Sequence, residues 1–165
     1  MEDDQNIWNF IFTLLFIGMV VFCIGVLLRA GRLPIAIDLF DLVLIILATL
    51  RLIRLFVYDK ITRWFRDLFM QKTTVEGSPG ESITIRQKYA GGPLRTLSEL
   101  FACPWCIGVW ASFTVTFFYF LTPLAWFPIL FLAIAGVATF LQLLSNMIGW
   151  RAELLKLETQ ELERE

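Results

Sequence analysis

The chain has 165 residues, 58% hydrophobic and 15% aromatic, with a net charge of −1. A soluble domain is about 45–50% apolar, and 16 Phe with 6 Trp exceed what one soluble core of this length buries; the composition excludes an ordinary soluble domain and carries no basic surplus for nucleic acid. Histidine is absent, which removes the acid–base and metal chemistry of imidazole.

The first four residues, Met1-Glu2-Asp3-Asp4, hold acids and no base. A secretory signal needs a basic start and a small-residue cleavage site, so residues 7–28, uncharged throughout, read as a retained membrane span of sufficient length. A second span is expected at 39–57. It is cleanly apolar only to Leu50, before Arg51 and Arg54, and Asp38 and Asp41 at its start suit a helix N-terminus. No Pro or Gly lies between Asp38 and Phe69, so the helix is expected to run on, with 58–70 as an amphipathic interfacial helix. Arg51, Arg54, Tyr58, Thr62 and Arg66 are spaced by three and four, which places them on one helical face. Such a face, with Arg63, would meet anionic lipid head groups at about 1 kcal/mol per cation. The plainer reading is that any helix emerging on a cytoplasmic side carries arginine. Asp59 is expected to pair with Arg63, four residues on.

Residues 71–99 form the polar insert. Gly77-Ser78-Pro79-Gly80 is a turn signal, Ser82 to Arg86 alternates as a strand does, and Ala90-Gly91-Gly92-Pro93 is a second turn. Ser98 is a candidate cap for a short helix. Third and fourth spans are expected at 101–121 and 127–148, joined by Thr122-Pro123-Leu124-Ala125-Trp126 into an antiparallel hairpin. Gly108 would allow close helix approach, and Gln142, Ser145 and Asn146 lie within about one turn, where each could bond a neighbouring helix at about 0.6–2 kcal/mol. Residues 150–165 read as a polar helical tail. Its Leu154, Leu155, Leu157 and Leu162 make a pattern too short for a coiled coil, which needs three or four heptads.

The expected fold is therefore an all-α, polytopic membrane bundle, a single domain of about four transmembrane helices plus an interfacial helix. Of the 14 Lys and Arg, only Arg29 and Arg32 fall between spans one and two, and none between three and four. That asymmetry puts both termini and the central insert in the cytoplasm, with the chain multi-pass in the inner (cytoplasmic) membrane.

Cys103-Pro104-Trp105-Cys106 opens the third span. Two thiols at this spacing at a helix start can be a redox dithiol, because the helix dipole favours the first thiolate. They can supply two of the four ligands zinc wants, a second chain giving the others. Or they can simply pack as small hydrophobes, with Pro104 in the first helical turn and Trp105 and Trp110 in the interfacial aromatic belt. A cytoplasmic position disfavours a standing disulfide, so a reduced corner is expected.

Phe101-Ala102-Cys103-Pro104-Trp105-Cys106-Ile107-Gly108-Val109-Trp110 resembles the signature of a family of short bacterial and phage membrane proteins of unknown function, which includes a Bacillus sporulation membrane protein. The run from Leu50 to Thr62, with Arg66, is similar to that family's other recurrent block. The resemblance implies a class and no mechanism.

No nucleotide-binding loop, Ser–base pair or carboxylate cluster stands out, and the sequence specifies no cofactor. The leading expectation is a non-enzymatic membrane subunit that assembles with itself or other membrane proteins, docking through Arg51, Arg54, Arg63, Arg66, Trp105 and Trp110. The alternatives are a thiol–disulfide or metal-linked protein built on Cys103 and Cys106, and a holin-like permeabilising protein.

Overall fold

The computed structural model describes residues 2–76 and 82–162; the Gly77-Ser78-Pro79-Gly80 turn lies outside them. Helix α1 covers Glu2–Arg29 and α2 covers Leu39–Val57. A 3-10 turn at Lys60–Thr62 leads into the short α3, Arg63–Asp67. Strands β1, Gln71–Glu76, and β2, Ser82–Gln87, pair antiparallel with Thr73 opposite Ile85. Then follow α4, Pro93–Ala102, α5, Pro104–Leu121, and α6, Trp126–Leu162. The architecture is helical apart from that hairpin. Among the described residues, three helical stretches are long and apolar enough to cross a membrane: Asp4–Arg29, Pro104–Leu121 and Pro123–Gln160.

The core is built around α2. Leu44, Ile45 and Ala48 are buried against Val115 of α5 and Ile129 and Ala133 of α6. Ala48 is wholly covered, and the close approach comes from glycine. A Cβ on Gly136 would lie 2.5 Å from the Leu47 carbonyl oxygen, and one on Gly108 would meet Ile53 Cδ1 at 3.3 Å. Small residues at helix crossings let backbones approach and gain dispersion contacts, which drive helix association where no water is displaced. Asp41, in the first turn of α2, accepts a hydrogen bond of 2.8 Å from the Tyr119 hydroxyl near the end of α5. With Ile53 beside Gly108 at the opposite end, α2 runs antiparallel to α5 and parallel to α6.

Helix α1 packs beside α5. Phe16 stacks on Trp110 at 4.8 Å and Phe113 at 5.9 Å. Arg32, just past α1, donates to the Leu121 carbonyl at 2.5 Å, which sets a cation on the negative end of α5. At the other end, Gln5 Nε2 donates to Thr96 Oγ1 of α4 at 2.8 Å.

Several expectations are corrected. The continuous helix from Asp38 to Phe69 ends at Val57, so 58–70 is a turn, a 3-10 turn and one short helix. Without Pro or Gly, side chains terminate it. The Leu55 carbonyl accepts from the Thr62 hydroxyl, and the Phe56 carbonyl accepts from Arg66 Nη1 at 2.9 Å. A helix's last carbonyls lack intrahelical donors, and a folded-back Arg and Thr meet that need. Asp59 pairs with Arg51 at 2.8 Å rather than with Arg63. The third span is broken at Cys103, with α4 separate before it, and Pro93 rather than Ser98 stands at the start of α4; Ser98 is buried and donates to the Arg95 carbonyl at 2.9 Å. The tail expected to be helical from Trp150 is helical to Leu162 and continues α6 without interruption.

Candidate functional site

Three places gather chemistry-bearing side chains. The first is the arginine block. Arg51, Arg54 and Arg66 are half-buried and Arg63 is exposed. Arg51 holds Asp59, Arg66 holds the end of α2 and also donates to Thr62 Oγ1 at 3.1 Å, and Arg54 lies over the Tyr58 ring at 5.3 Å. Beneath them Phe65 packs on Phe56 at 5.7 Å, on Phe69 at 5.3 Å and on Phe101 at 5.3 Å. The recurring polar spacing thus does bring these residues together, through a fold-back and not along one helix face. Three of the four arginines expected at a lipid or partner surface are spent inside the chain.

The second place is a cleft of about 520 Å³ between α1, α4 and α5, with the residues of the cysteine corner in its wall. Its apolar side is Phe12, Phe16 and Trp110, and its polar side includes Asn9, Thr96, Lys88 and Glu99. Asn9 Oδ1 accepts from Thr96 Oγ1 at 3.1 Å, and Glu99 is engaged by Arg95 at 3.0 Å. Beside this network Gln5 is 7% exposed and its Oε1 is buried without a hydrogen-bond partner. The sulfurs of Cys103 and Cys106 lie at disulfide distance from each other. The physical cause is local: Cys103 is the N-cap of α5, and its Sγ accepts the Cys106 N–H at 3.2 Å, so one helical turn faces the two sulfurs toward each other. Among the described residues no group of three or more His, Cys, Asp or Glu is placed to hold a metal. Trp105 is 85% exposed, while Trp110 is packed against Phe16 and forms cleft wall. Cys23 is buried in α1 as a free thiol, away from the pair.

The third place is the second half of α6. Gln142, Ser145 and Asn146 are exposed, and Gln142 Nε2 donates to Asn146 Oδ1 at 3.1 Å within the same helix. The expected bonds from this trio to neighbouring helices are not made within the described chain. Alongside Asn146 runs a stripe of Phe140, Leu143, Met147, Trp150, Leu154 and Leu157, between 42% and 75% exposed. Their spacing of 3, 4, 3, 4 and 3 is that of the a and d positions of a heptad repeat. Reading the tail alone missed this stripe, because it begins ten residues earlier, inside the apolar span. Gly136 was missed too. Its signal was present in Ala133-Ile134-Ala135-Gly136, small residues three apart.

Residues 44–145 match the family described as "Protein of unknown function (DUF1360)". The chain is 34% identical over 101 residues to the UPF0713 protein YngL of Bacillus subtilis (strain 168), covering 61% of this chain and 74% of the relative. It is 36% identical over 104 residues to the sporulation protein YjcA of the same organism, covering 62% of this chain and 88% of the relative. No solved structure matches.

Proposed function

The chain belongs to the DUF1360 family, and on that premise we propose that it is a multi-pass subunit of the bacterial cytoplasmic membrane that assembles with a second copy of itself through α6. The observation that carries this reading is the heptad-spaced stripe from Phe140 to Leu157, exposed along its whole length. At 1.5 Å per residue the 37 residues of α6 extend about 55 Å, well beyond a hydrocarbon core of about 30 Å. The stripe therefore begins at the membrane and continues past it. A partner must present an apolar helical face rising from the same bilayer at the same height and in the same direction. The α6 of a second copy meets all three conditions, and a two-fold axis parallel to the helices sets like residues opposite one another.

Four passes with both termini cytoplasmic are the topology this reading uses. Helix α2 is the fourth span. Its three charges exceed what an isolated span tolerates, but Asp41 is bonded to Tyr119, Arg51 to Asp59, and Arg54 covers Tyr58. Charged groups at membrane depth are kept when they face the bundle and are paired. The uneven placement of Lys and Arg supports the orientation. Anionic head groups are the lipid partners proposed for exposed Arg63. The relative named as a sporulation protein suggests a role in sporulation and specifies no activity.

Disulfide cross-linking in membranes tests the interface. In a background with the native cysteines replaced, Leu157→Cys should link two copies on mild oxidation, and Ala152→Cys, on the opposite face, should not. Equal cross-linking at both positions, a link to a different protein at position 157, or none would each overturn the proposal.

A further inference from the structure

We propose that the Cys103–Cys106 pair is a thiol–disulfide exchange site whose substrate is a low-molecular-weight thiol carrying a carboxylate, bound in the cleft between α1, α4 and α5. This site is independent of the α6 interface. Both sulfur-bearing residues line the cleft, and its volume of about 520 Å³ matches pockets for small molecules, typically 300–1,000 Å³. Its lining joins an aromatic wall to a polar edge, where Lys88 supplies a cation and Asn9 and Thr96 supply hydrogen-bonding groups. The negative charge of Glu99 is offset by Arg95, so Lys88 favours an anionic substrate.

The two sulfurs are not equivalent. Cys106 is exposed and Cys103 half-buried. Cys103 Sγ sits at the N-terminus of the 18-residue α5 and receives the Cys106 N–H. A helix N-terminus and a donated N–H both stabilise a thiolate. The sulfur that leaves best is the one whose thiolate is stabilised, so the incoming thiolate attacks the exposed Cys106 Sγ. The Cys103–Cys106 bond breaks, its electron pair goes to Cys103 Sγ, and Cys106 carries the mixed disulfide. A second substrate thiolate then attacks the substrate sulfur of that mixed disulfide. Cys106 leaves as a thiolate, and the Cys103 and Cys106 thiolates take up, through solvent, the two protons that the substrate thiols released on forming thiolates. The net change is one protein disulfide and two substrate thiols converted to two protein thiols and one substrate disulfide. The reverse sequence reoxidises the pair. In a reducing compartment a disulfide of this kind is transient and catalytic or redox-sensing rather than structural.

The test uses the full-length protein in a bilayer, carrying Cys23→Ala so that the pair is the only source of thiols. Equilibration in glutathione buffers followed by maleimide trapping should show both thiols appearing together in the folded protein. Cys103 in a Cys106→Ser variant should react with iodoacetamide at pH 7 at least tenfold faster than Cys106 in a Cys103→Ser variant. Lys88→Ala should slow reduction by glutathione about threefold and leave reduction by cationic 2-aminoethanethiol unchanged. Equal alkylation rates for the two thiols would overturn the assigned roles. A pair that glutathione reduces only after unfolding would overturn the site. A Lys88→Ala effect equal for both reductants would overturn the substrate class.

Discussion

Helices α2 and α6 lie side by side and run the same way, yet they treat their costly side chains in opposite fashion. Two of the three charges of α2 are paired inside the chain, Asp41 with Tyr119 and Arg51 with Asp59, while Arg54 lies over the Tyr58 ring with its Nε buried and without a hydrogen-bond partner; Arg66 and Thr62 hold the helix end. The second half of α6 leaves a three-heptad apolar stripe and an amide pair facing outward. Charged groups with internal partners indicate a structural role, whereas an exposed apolar stripe is covered by lipid only as far as the helix lies in the membrane. The conspicuous arginine block is thus a staple that folds the chain back, and the less conspicuous tail is where assembly is proposed.

The largest expected effect falls on the packed side of this contrast. Gly136→Leu drives side-chain atoms into the Leu47 carbonyl and should destabilise the fold by about 3 kcal/mol, as overpacking does at its upper range. Gly149→Leu, with nothing within 4 Å of its Cβ position, should stay within about 0.5 kcal/mol. Reversible unfolding in mixed micelles measures both, and equal losses would erase the distinction between the two halves of α6.

Next comes Arg66→Met, which removes a charge-assisted hydrogen bond from the Phe56 carbonyl and should cost about 1.5–3 kcal/mol. Arg151→Met, on the exposed part of α6, should leave monomer stability unchanged in the same assay.

Leu154→Ala should reverse that order. It should leave unfolding of the monomer nearly unchanged and weaken self-association about tenfold, or about 1.4 kcal/mol, as read by sedimentation or energy transfer in bilayers. The smallest effect sharpens the register. In a parallel pair, Glu153 of one copy faces Glu158 of the other across the g and e positions. Glu158→Lys should therefore strengthen association by about 0.2–1 kcal/mol, whereas an unrelated interface would not respond.

Hydropathy alone located α1, α5 and the first half of α6, because a membrane span must be long, uncharged and helical. Strand alternation located β2, and its pairing with β1 follows from it. The second span was expected at 39–57, the bounds of α2, but the break in the helix after it was not legible. Local propensity offered no stop between Asp38 and Phe69, and the stop depends on Thr62 and Arg66 reaching carbonyls seven and ten residues back. The same fold-back changed the meaning of the arginine spacing, which read as a surface face and became an internal network. The cleft was equally hidden, since Asn9 and Thr96 are 87 residues apart.

By itself the sequence determined that this is a helical membrane protein, where its most apolar helices lie, and that Cys103 and Cys106 sit at a helix start. Those properties depend on composition and on spacings within one element, which a linear pattern records. Only the tertiary structure decided that α2 is the buried centre, that Arg51 and Arg66 find partners inside the chain, and that the two cysteines meet at the wall of a cleft. It also made the tail and the last span one helix with one continuous stripe. These depend on contacts between residues far apart in the chain, and burial and partner choice are set there by packing rather than by local propensity.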